Sequence, residues 1–262
     1  MKTQAILDYL DCHIEAPTLR ALNRLIHAYI RTVPFESVSR IVKRHTTPLT
    51  ANCPRLPQEF WRDAMQSGFG GTCFESSLAF YHLLTALGYK GYLTVNDMGE
   101  SRGCHAAIVV QLGGRKYLVD ITIPVHVALE INPRKTTRRQ TACHNFALRP
   151  LGKNKYEVTR SHHPSRVAFT LIDVPVRAAA YHVVVTNDYL ETGHFLKSVV
   201  MNKLIDDKTT RFFSDQKPYR LVRFNKNAKA ETPLRAKTLP CVLARTFQLP
   251  QDKVAAALAY IS

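Results

Sequence analysis

Acid is scarce in this sequence of 262 residues: 20 Asp and Glu face 36 Lys and Arg, for a net charge of +16 at pH 7. Such a surface favours polyanionic partners. No apolar run approaches the roughly 18 residues of a membrane span, so no membrane partner is expected. The opening stretch, Met1 to Leu10, carries Asp8 where a secretory leader needs unbroken apolar residues. A cytoplasmic protein is the expectation. The six cysteines (12, 53, 73, 104, 143 and 241) include no Cys-x-x-Cys pair, which argues against a disulfide framework and a structural zinc site. His144 and the pair His162-His163 are not at ligand spacings, so no metal is expected. Gly-rich phosphate loops of the Walker or dinucleotide type are missing. So are internal repeats and low-complexity tracts. No nucleic-acid recognition motif is present, and nucleic acid is not an expected partner. With 45% hydrophobic residues the chain can still bury a sizeable core, as one large domain or as two or three subdomains.

What is present concentrates between residues 70 and 120. Gly70-Gly71-Thr72-Cys73-Phe74-Glu75 ends in Thr-x-x-Glu, the spacing of a helix capping box. Apolar residues then recur at Phe74, Leu78, Tyr81, Leu84 and Leu87, one helical face, and Gly88 follows as a stop signal. Cys73 therefore falls at the first helical position. Unpaired N–H groups and the positive end of the helix dipole there favour thiolate over thiol. The two glycines would let the backbone turn sharply before it.

A hairpin supplies the rest. Gly91–Asn96 reads as a strand, with Asp97–Gly103 a polar turn or loop. His105–Leu112 and Arg115–Ile121 read as strands around Gly113-Gly114, a strong two-residue hairpin signal. In that register residue 107 pairs with residue 120. His105 and Asp120 then become diagonal neighbours on one face, roughly 5–8 Å apart at Cβ. A thiol, an imidazole and a carboxylate in these positions make Cys73 a candidate nucleophile, His105 its base and Asp120 the orienting group. Cys104 would point to the opposite face of its strand from His105 and be buried.

Elsewhere the first ninety residues read mostly helical. Leu19, Leu22, Ile26, Tyr29 and Val33 form one stripe that Pro34 ends, and Thr46–Pro57 reads as a connector. Strands are expected at Tyr117–Ile121, Tyr156–Thr159, Val167–Leu171 and Tyr181–Val185, and a closing helix at Gln251–Tyr260.

These motifs resemble the arylamine N-acetyltransferases. That family's pattern is Arg-Gly-Gly-x-Cys-Phe-Glu-x-Asn, followed by a His and by Val-Asp-Val-Gly-Phe-Gly. Here Gly70–Glu75, His105 and Tyr117-Leu118-Val119-Asp120 correspond. Ala16–Leu22 and Val33-Pro34-Phe35-Glu36 are similar to the family's opening helix and its Val-Pro-Phe-Glu-Asn. The likeness is good over residues near 7–125 and fainter beyond, at Asn187…Phe195 and Leu239…Leu249. It implies an α+β fold with a papain- or transglutaminase-like arrangement of Cys, His and Asp. A helical subdomain (residues 1–90) would carry the nucleophile, a β-barrel (91–200) the His and Asp, and a smaller α/β lid would span 201–262. It also implies ping-pong acyl transfer from acyl-CoA, chiefly acetyl-CoA, through a thioester on Cys73 to a small-molecule amine. The donor is then a substrate, and no cofactor is permanently bound. The resemblance places Thr192 beside the donor, in a segment shortened to Asn187–Phe195.

The departures from the pattern are specific. Phe69 stands where the family has Arg, Ser37 and Ser39 where it has Asn and Asp, and Ser77 where it has Asn. On this reading an arginine and its polar partners have gone together, leaving Glu36 without an identified partner. Asp120 is followed by Ile-Thr-Ile-Pro, so the neighbouring loop has lost its glycines. Arg134, Lys135, Arg138 and Arg139 form the densest basic cluster, either a solvated loop or a landing site for donor phosphates. A second, looser set is Lys217, Arg220, Arg223, Lys226 and Lys229. An acidic acyl-carrier protein would suit the same charge, which makes an amide synthase an alternative. A cysteine hydrolase or transglutaminase-like enzyme shares the Cys…His…Asp order. A binding protein with a vestigial site is the non-enzymatic alternative.

Overall fold

The computed structural model describes residues 2–123, 127–163, 166–191 and 193–261. The chain begins with α1 (Thr3–Tyr9) and α2 (Leu19–Thr32). The Thr18 hydroxyl caps α2 by accepting from the Ala21 N–H, and Leu22, Leu25, Ile26, Tyr29 and Ile30 form its buried stripe. Pro34 ends it, and a two-residue strand β1 (Phe35–Glu36) follows. Next come α3 (Val38–Thr46), a short 3-10 turn at Thr50–Asn52, α4 (Pro57–Ser67) and α5 (Cys73–Ala86). The first core joins α1, α2, α4 and α5 to one face of the sheet that comes next.

That sheet has eight antiparallel strands: β2 (Lys90–Met98), β3 (Ser101–Leu112), β4 (Arg115–Val119), β5 (Leu129–Ile131), β6 (Thr137–Gln140), β7 (Asn145–Gly152), β8 (Lys155–Arg160) and β9 (Val167–Ile172). Their order is β5-β4-β3-β2-β9-β8-β7-β6. The Thr137 hydroxyl on β6 donates to the Glu130 carbonyl on β5, so the two edges meet and the sheet is a nearly closed barrel. Alternation along β3 divides its side chains. Ala106, Ile108 and Val110 face the helices, and Ala107 and Val109 line the barrel core with Leu118, Phe146, Tyr156, Val158 and Phe169. The connection read as a loop over Asp97–Gly103 is shorter than expected. Strand β2 runs to Met98 and β3 begins at Ser101, while Asp97 accepts hydrogen bonds from the Gly103 N–H and Arg102.

Residues 181–185, expected as a strand, lie inside helix α6 (Ala178–Asn187). The three alanines that open it favour helix, and Tyr181 and Val185, four apart, are its buried residues. The valines that suggested a strand are a weak signal beside that packing.

A second sheet of five antiparallel strands runs β1-β10-β11-β12-β13, with β10 (Val200–Ile205), β11 (Lys208–Phe213), β12 (Arg220–Phe224) and β13 (Lys229–Pro233). It packs with α3 and with helices α7 (Leu239–Phe247) and α8 (Gln251–Tyr260) around a third core. Strand β1 pairs Phe35 with Asn202 on β10 and also bridges to Gly71. A distant sheet is thereby tied to the loop that precedes Cys73. Among the described residues no helix is long and apolar enough to cross a membrane.

Candidate active site

Helix α5 starts at Cys73, as the pattern predicts, but not with a capping box. The Thr72 side chain makes no cap hydrogen bond, and Glu75 turns away from the helix start. Its Oε1 accepts from the Arg55 backbone N–H at 3.0 Å and the Tyr189 hydroxyl at 2.5 Å. Its Oε2 accepts from Arg55 Nε at 3.0 Å and Nη2 at 2.6 Å. The reason is burial. All five residues of Cys73–Ser77 are buried, so a carboxylate there needs a cation and not a half-solvated cap.

Arg55 corrects the view that the buried arginine was lost when Phe69 took its place. The cation enters from the connector before α4, and its Nη2 also donates to the Gly70 carbonyl at 2.7 Å. Burial disfavours the Arg55 cation, but Glu75 beside it outweighs this and raises its pKa. Burial likewise pushes the Glu75 pKa up, and Arg55 reverses this to leave it lowered. Glu36, the residue without an identified partner, accepts from the Ser39 N–H at 2.8 Å and the Ser39 hydroxyl at 2.5 Å. Burial raises its pKa, and Arg55 opposes the rise. The serines do not form one unit with Phe69. Ser37 bonds to Ser198 and Val200 backbone groups, Ser77 donates to the Ala106 carbonyl, and Phe69 packs on the third core.

This arrangement also explains Gly70 and Gly71. A Cβ at Gly70 would lie 1.7 Å from the Pro34 carbonyl oxygen, and one at Gly71 would lie 2.9 Å from Arg55 Nη2. Close packing, more than a sharp turn, excludes side chains from this loop.

On the other side of α5, the Gly113-Gly114 hairpin has the expected register. Ile108 pairs with Val119, which sets residue 107 opposite 120. His105 Nε2 lies 2.7 Å from Asp120 Oδ2. The other carboxylate oxygen, Oδ1, accepts from the Thr122 N–H, the Thr122 hydroxyl and the Ile123 N–H at 2.9, 2.9 and 3.1 Å. Asp120 is thus held at both ends and fully buried. Cys73 is near enough to the His105 side chain to help raise its pKa, and with Nε2 engaged by Asp120 the ring nitrogen left for a thiol is Nδ1. Burial would lower the His105 pKa, but the charge and hydrogen bond of Asp120, with help from Cys73, raise it to about 10. The site therefore favours imidazolium. Cys73 Sγ also lies 3.8 Å from the Cys104 carbonyl oxygen. The Cys104 side chain donates to the Ser101 carbonyl at 3.4 Å and is buried.

Tyr181 and Tyr189 escaped the sequence reading. The Tyr181 hydroxyl donates to the Phe74 carbonyl at 2.7 Å, fixing the first turn of α5 from outside. Tyr181 lies in no motif, and Tyr189 lies in the Asn187–Phe195 segment, where nothing in the sequence points to Glu75. The one available signal was Glu75 in an apolar run, which demands a buried cation and donors without naming them.

The donor-binding candidates are not gathered at the triad. Arg134 and Lys135 sit in an exposed turn, their N–H groups held by Asn132 Oδ1. Lys135 borders a cleft shared with the β3–β4 turn and with Asn154, at the barrel end opposite His105 and Asp120. Arg138 and Arg139 lie exposed on β6. Thr192 lies outside the described residues. The segment around it is anchored by buried Arg40, whose Nε donates to the His194 carbonyl at 3.1 Å and whose guanidinium pairs with Asp188 at 2.9 Å.

The sequence profile of the N-acetyltransferase family matches residues 18–254. No curated protein is detectably similar in sequence. Among solved structures, the arylamine N-acetyltransferase from Salmonella typhimurium superposes with a TM-score of 0.81 at 15% identity, covering 98% of this chain and 97% of that one. The Mycobacterium marinum arylamine N-acetyltransferase, described in complex with CoA, gives 0.79 at 16% identity over 98% of both chains. An arylamine N-acetyltransferase from Bacillus cereus, described as having a unique Cys-His-Glu catalytic triad, gives 0.76 at 16% identity, covering 95% of this chain and 99% of that one. These likenesses are of fold. The match over residues 18–254 carries the assignment: the chain belongs to the arylamine N-acetyltransferase family and is an acyltransferase.

Proposed function

We propose that this protein transfers the acetyl group of acetyl-CoA to an amine by way of a thioester on Cys73. The reading is carried by one constellation. Asp120 holds His105 through Nε2, which aims the remaining nitrogen at a thiol on the first residue of a helix. His105 takes the thiol proton, and the thiolate attacks the thioester carbonyl carbon. The C–S bond to CoA breaks, and the departing thiolate receives the proton from the imidazolium. The acceptor amine then attacks the acyl-enzyme. His105 removes the amine proton and returns it to Cys73 Sγ as the new amide leaves. Asp120 keeps the imidazole in the required tautomer and stabilises the imidazolium in both half-reactions.

Within this reading residues 1–90 supply the nucleophile and 91–200 the base and orienter, with 201–262 completing the fold around them. The M. marinum neighbour is described in complex with CoA, and we extend CoA recognition, with acetyl-CoA as donor, to this chain. The test is intact mass after incubation with acetyl-CoA or with an acetylated acyl-carrier protein. One acetyl adduct should form, vanish in Cys73→Ser, and discharge when an arylamine is added. An adduct that survives Cys73→Ser would overturn the assignment.

A further inference from the structure

A cavity of about 1080 Å³ opens between helices α4, α5 and α6. Cys73, His105 and Asp120 are not among its described lining. Leu56, Leu78 and Val185 give it aliphatic walls, and Tyr81, Tyr92 and Tyr181 give it aromatic ones. The space exists because α6 packs lightly. Tyr181 and Val185 are the buried residues of that helix, and the face between them and α4 meets no other side chain layer. Leu56, at the edge of the cavity, is 60% exposed. A ligand that covered it would remove apolar surface from water.

The polar groups of the lining divide into two sets. The charged side chains already have partners. Arg55 and Glu75 hold each other at 2.6 Å, Lys43 pairs with Glu59, and Arg62 donates to Asp63 at 3.0 and 3.2 Å. The tyrosine hydroxyls are engaged as well. Tyr81 donates to the Gly91 carbonyl at 3.2 Å, Tyr92 to Asp173 at 2.6 Å and Tyr181 to the Phe74 carbonyl at 2.7 Å. They therefore offer a ligand ring carbon, with no hydrogen left to donate. The second set is the Gln58 amide on α4, His82 on α5 and His182 on α6. These have no hydrogen-bond or ion-pair partner among the described residues, and all are exposed. Each has an N–H to give, an imidazole in either protonation state.

We propose that this cavity binds a planar aromatic carboxylate, with its rings against the tyrosines and Leu78 and its carboxylate on the N–H groups of Gln58, His82 and His182. The donors select the head. A carboxylate accepts from several N–H groups and brings no hydrogen that needs an acceptor, and the net charge of +16 draws an anion. The walls select the body. Aromatic rings stack on tyrosines or meet them edge-on, and a rigid plane loses less freedom on binding than an alkyl chain. The site adjoins the groups that anchor the nucleophile. Arg55 and Glu75 belong to its lining, and the Tyr181 and Phe74 ring centroids are 5.8 Å apart. Its ligand chemistry is independent of the reaction proposed above.

The test is titration of the full chain with 2-naphthoate, followed by calorimetry and by the imidazole NMR resonances. One saturable site is expected, with the His82 and His182 resonances shifting together. Leu78→Glu sets a charge against the apolar wall and should weaken binding about tenfold or more. Leu56→Glu should act in the same direction, and because Leu56 is exposed it guards against a misfolded Leu78→Glu. His182→Ala should weaken binding severalfold through loss of a hydrogen bond to a charged head. Leu151→Glu, the same change at an exposed position on β7, should leave affinity unaltered. Octanoate carries the same head on a flexible chain and should bind about tenfold more weakly. Absence of saturable binding by the wild type would overturn the site. So would affinity unchanged in both Leu56→Glu and His182→Ala, which would place the probe elsewhere on the protein. Equal affinity for octanoate would overturn the aromatic assignment. No thioester enters the titration, so a failure of acyl transfer leaves its result standing.

Discussion

Two buried ion pairs flank the first turn of α5, and they are built differently. On the barrel side, His105 and Asp120 belong to one hairpin and stand 15 residues apart. On the other side, Arg55 and Glu75 join a connector to a helix across 20 residues, and Tyr189 closes the group from 114 residues away. The first pair contains an imidazolium that gives up its proton near pH 10. The second contains a guanidinium that stays charged under any condition the fold survives. A nucleophile needs both kinds. In the proposed reaction one moves protons for Cys73, while the other holds the glycine loop and the first turn that carry it. Each pair should therefore fail in its own way.

Asp120→Asn should give the largest effect. Acylation of Cys73 by acetyl-CoA should fall by about 10⁴, while melting temperature changes little, because an amide oxygen can still accept from Thr122 and Ile123. Stopped-flow release of free CoA measures this. A rate within about tenfold of wild type would leave Asp120 a purely structural residue.

Arg55→Met should act on stability first. Glu75 would be left charged and buried, a loss of about 3–5 kcal/mol in urea unfolding. Arg55→Met/Glu75→Leu should recover much of it, since the stranded charge is gone. If the single variant were as stable as wild type, the anchoring role of the pair would be lost.

The pairs should also part at opposite ends of the pH scale. Folded His105 keeps its proton up to about 10, against an ordinary value of 6.5. Its contribution is fully present below 6.5 and fades as pH rises toward 10. Folded Glu75 has a pKa lowered from 4.5, so its contribution is present above that value and is lost as pH falls beneath it. Melting temperature against pH, compared between wild type and variants, should show the alkaline fall blunted in Asp120→Asn and the acid fall blunted in Glu75→Gln. The reverse assignment would break the comparison.

Tyr189→Phe should be the mildest change. It removes one donor from Glu75 Oε1 and keeps both Arg55 bonds to Oε2, for about 1–2 kcal/mol. A cost near that of Arg55→Met would make the tyrosine, not the arginine, the main support of the carboxylate.

The same two regions divide what could be read from the residues. The Gly113-Gly114 turn and strict alternation determined which residues of β3 and β4 face each other, and so placed His105 beside Asp120. The apolar stripe and Gly88 determine a helix over residues 74–87, while its start at Cys73 rests on a capping-box spacing whose side-chain bonds do not form. These are local matters, settled by a two-residue turn and by periods of 2 and 3.6. The tertiary structure alone decided the partner of Glu75, because Arg55 and Tyr189, which take up its carboxylate, come from segments far outside the Thr-x-x-Glu motif. It decided that residues 181–185 are helical, since a short apolar segment takes its form from what it packs against. It also decided that Arg134 and Lys135 lie at one end of the barrel while Arg160 and Arg211 converge at the other. A charge cluster in sequence carries no information about which end of a closed sheet it will occupy. That depends on strand order and register across the whole barrel, which only the sum of its long-range contacts determines.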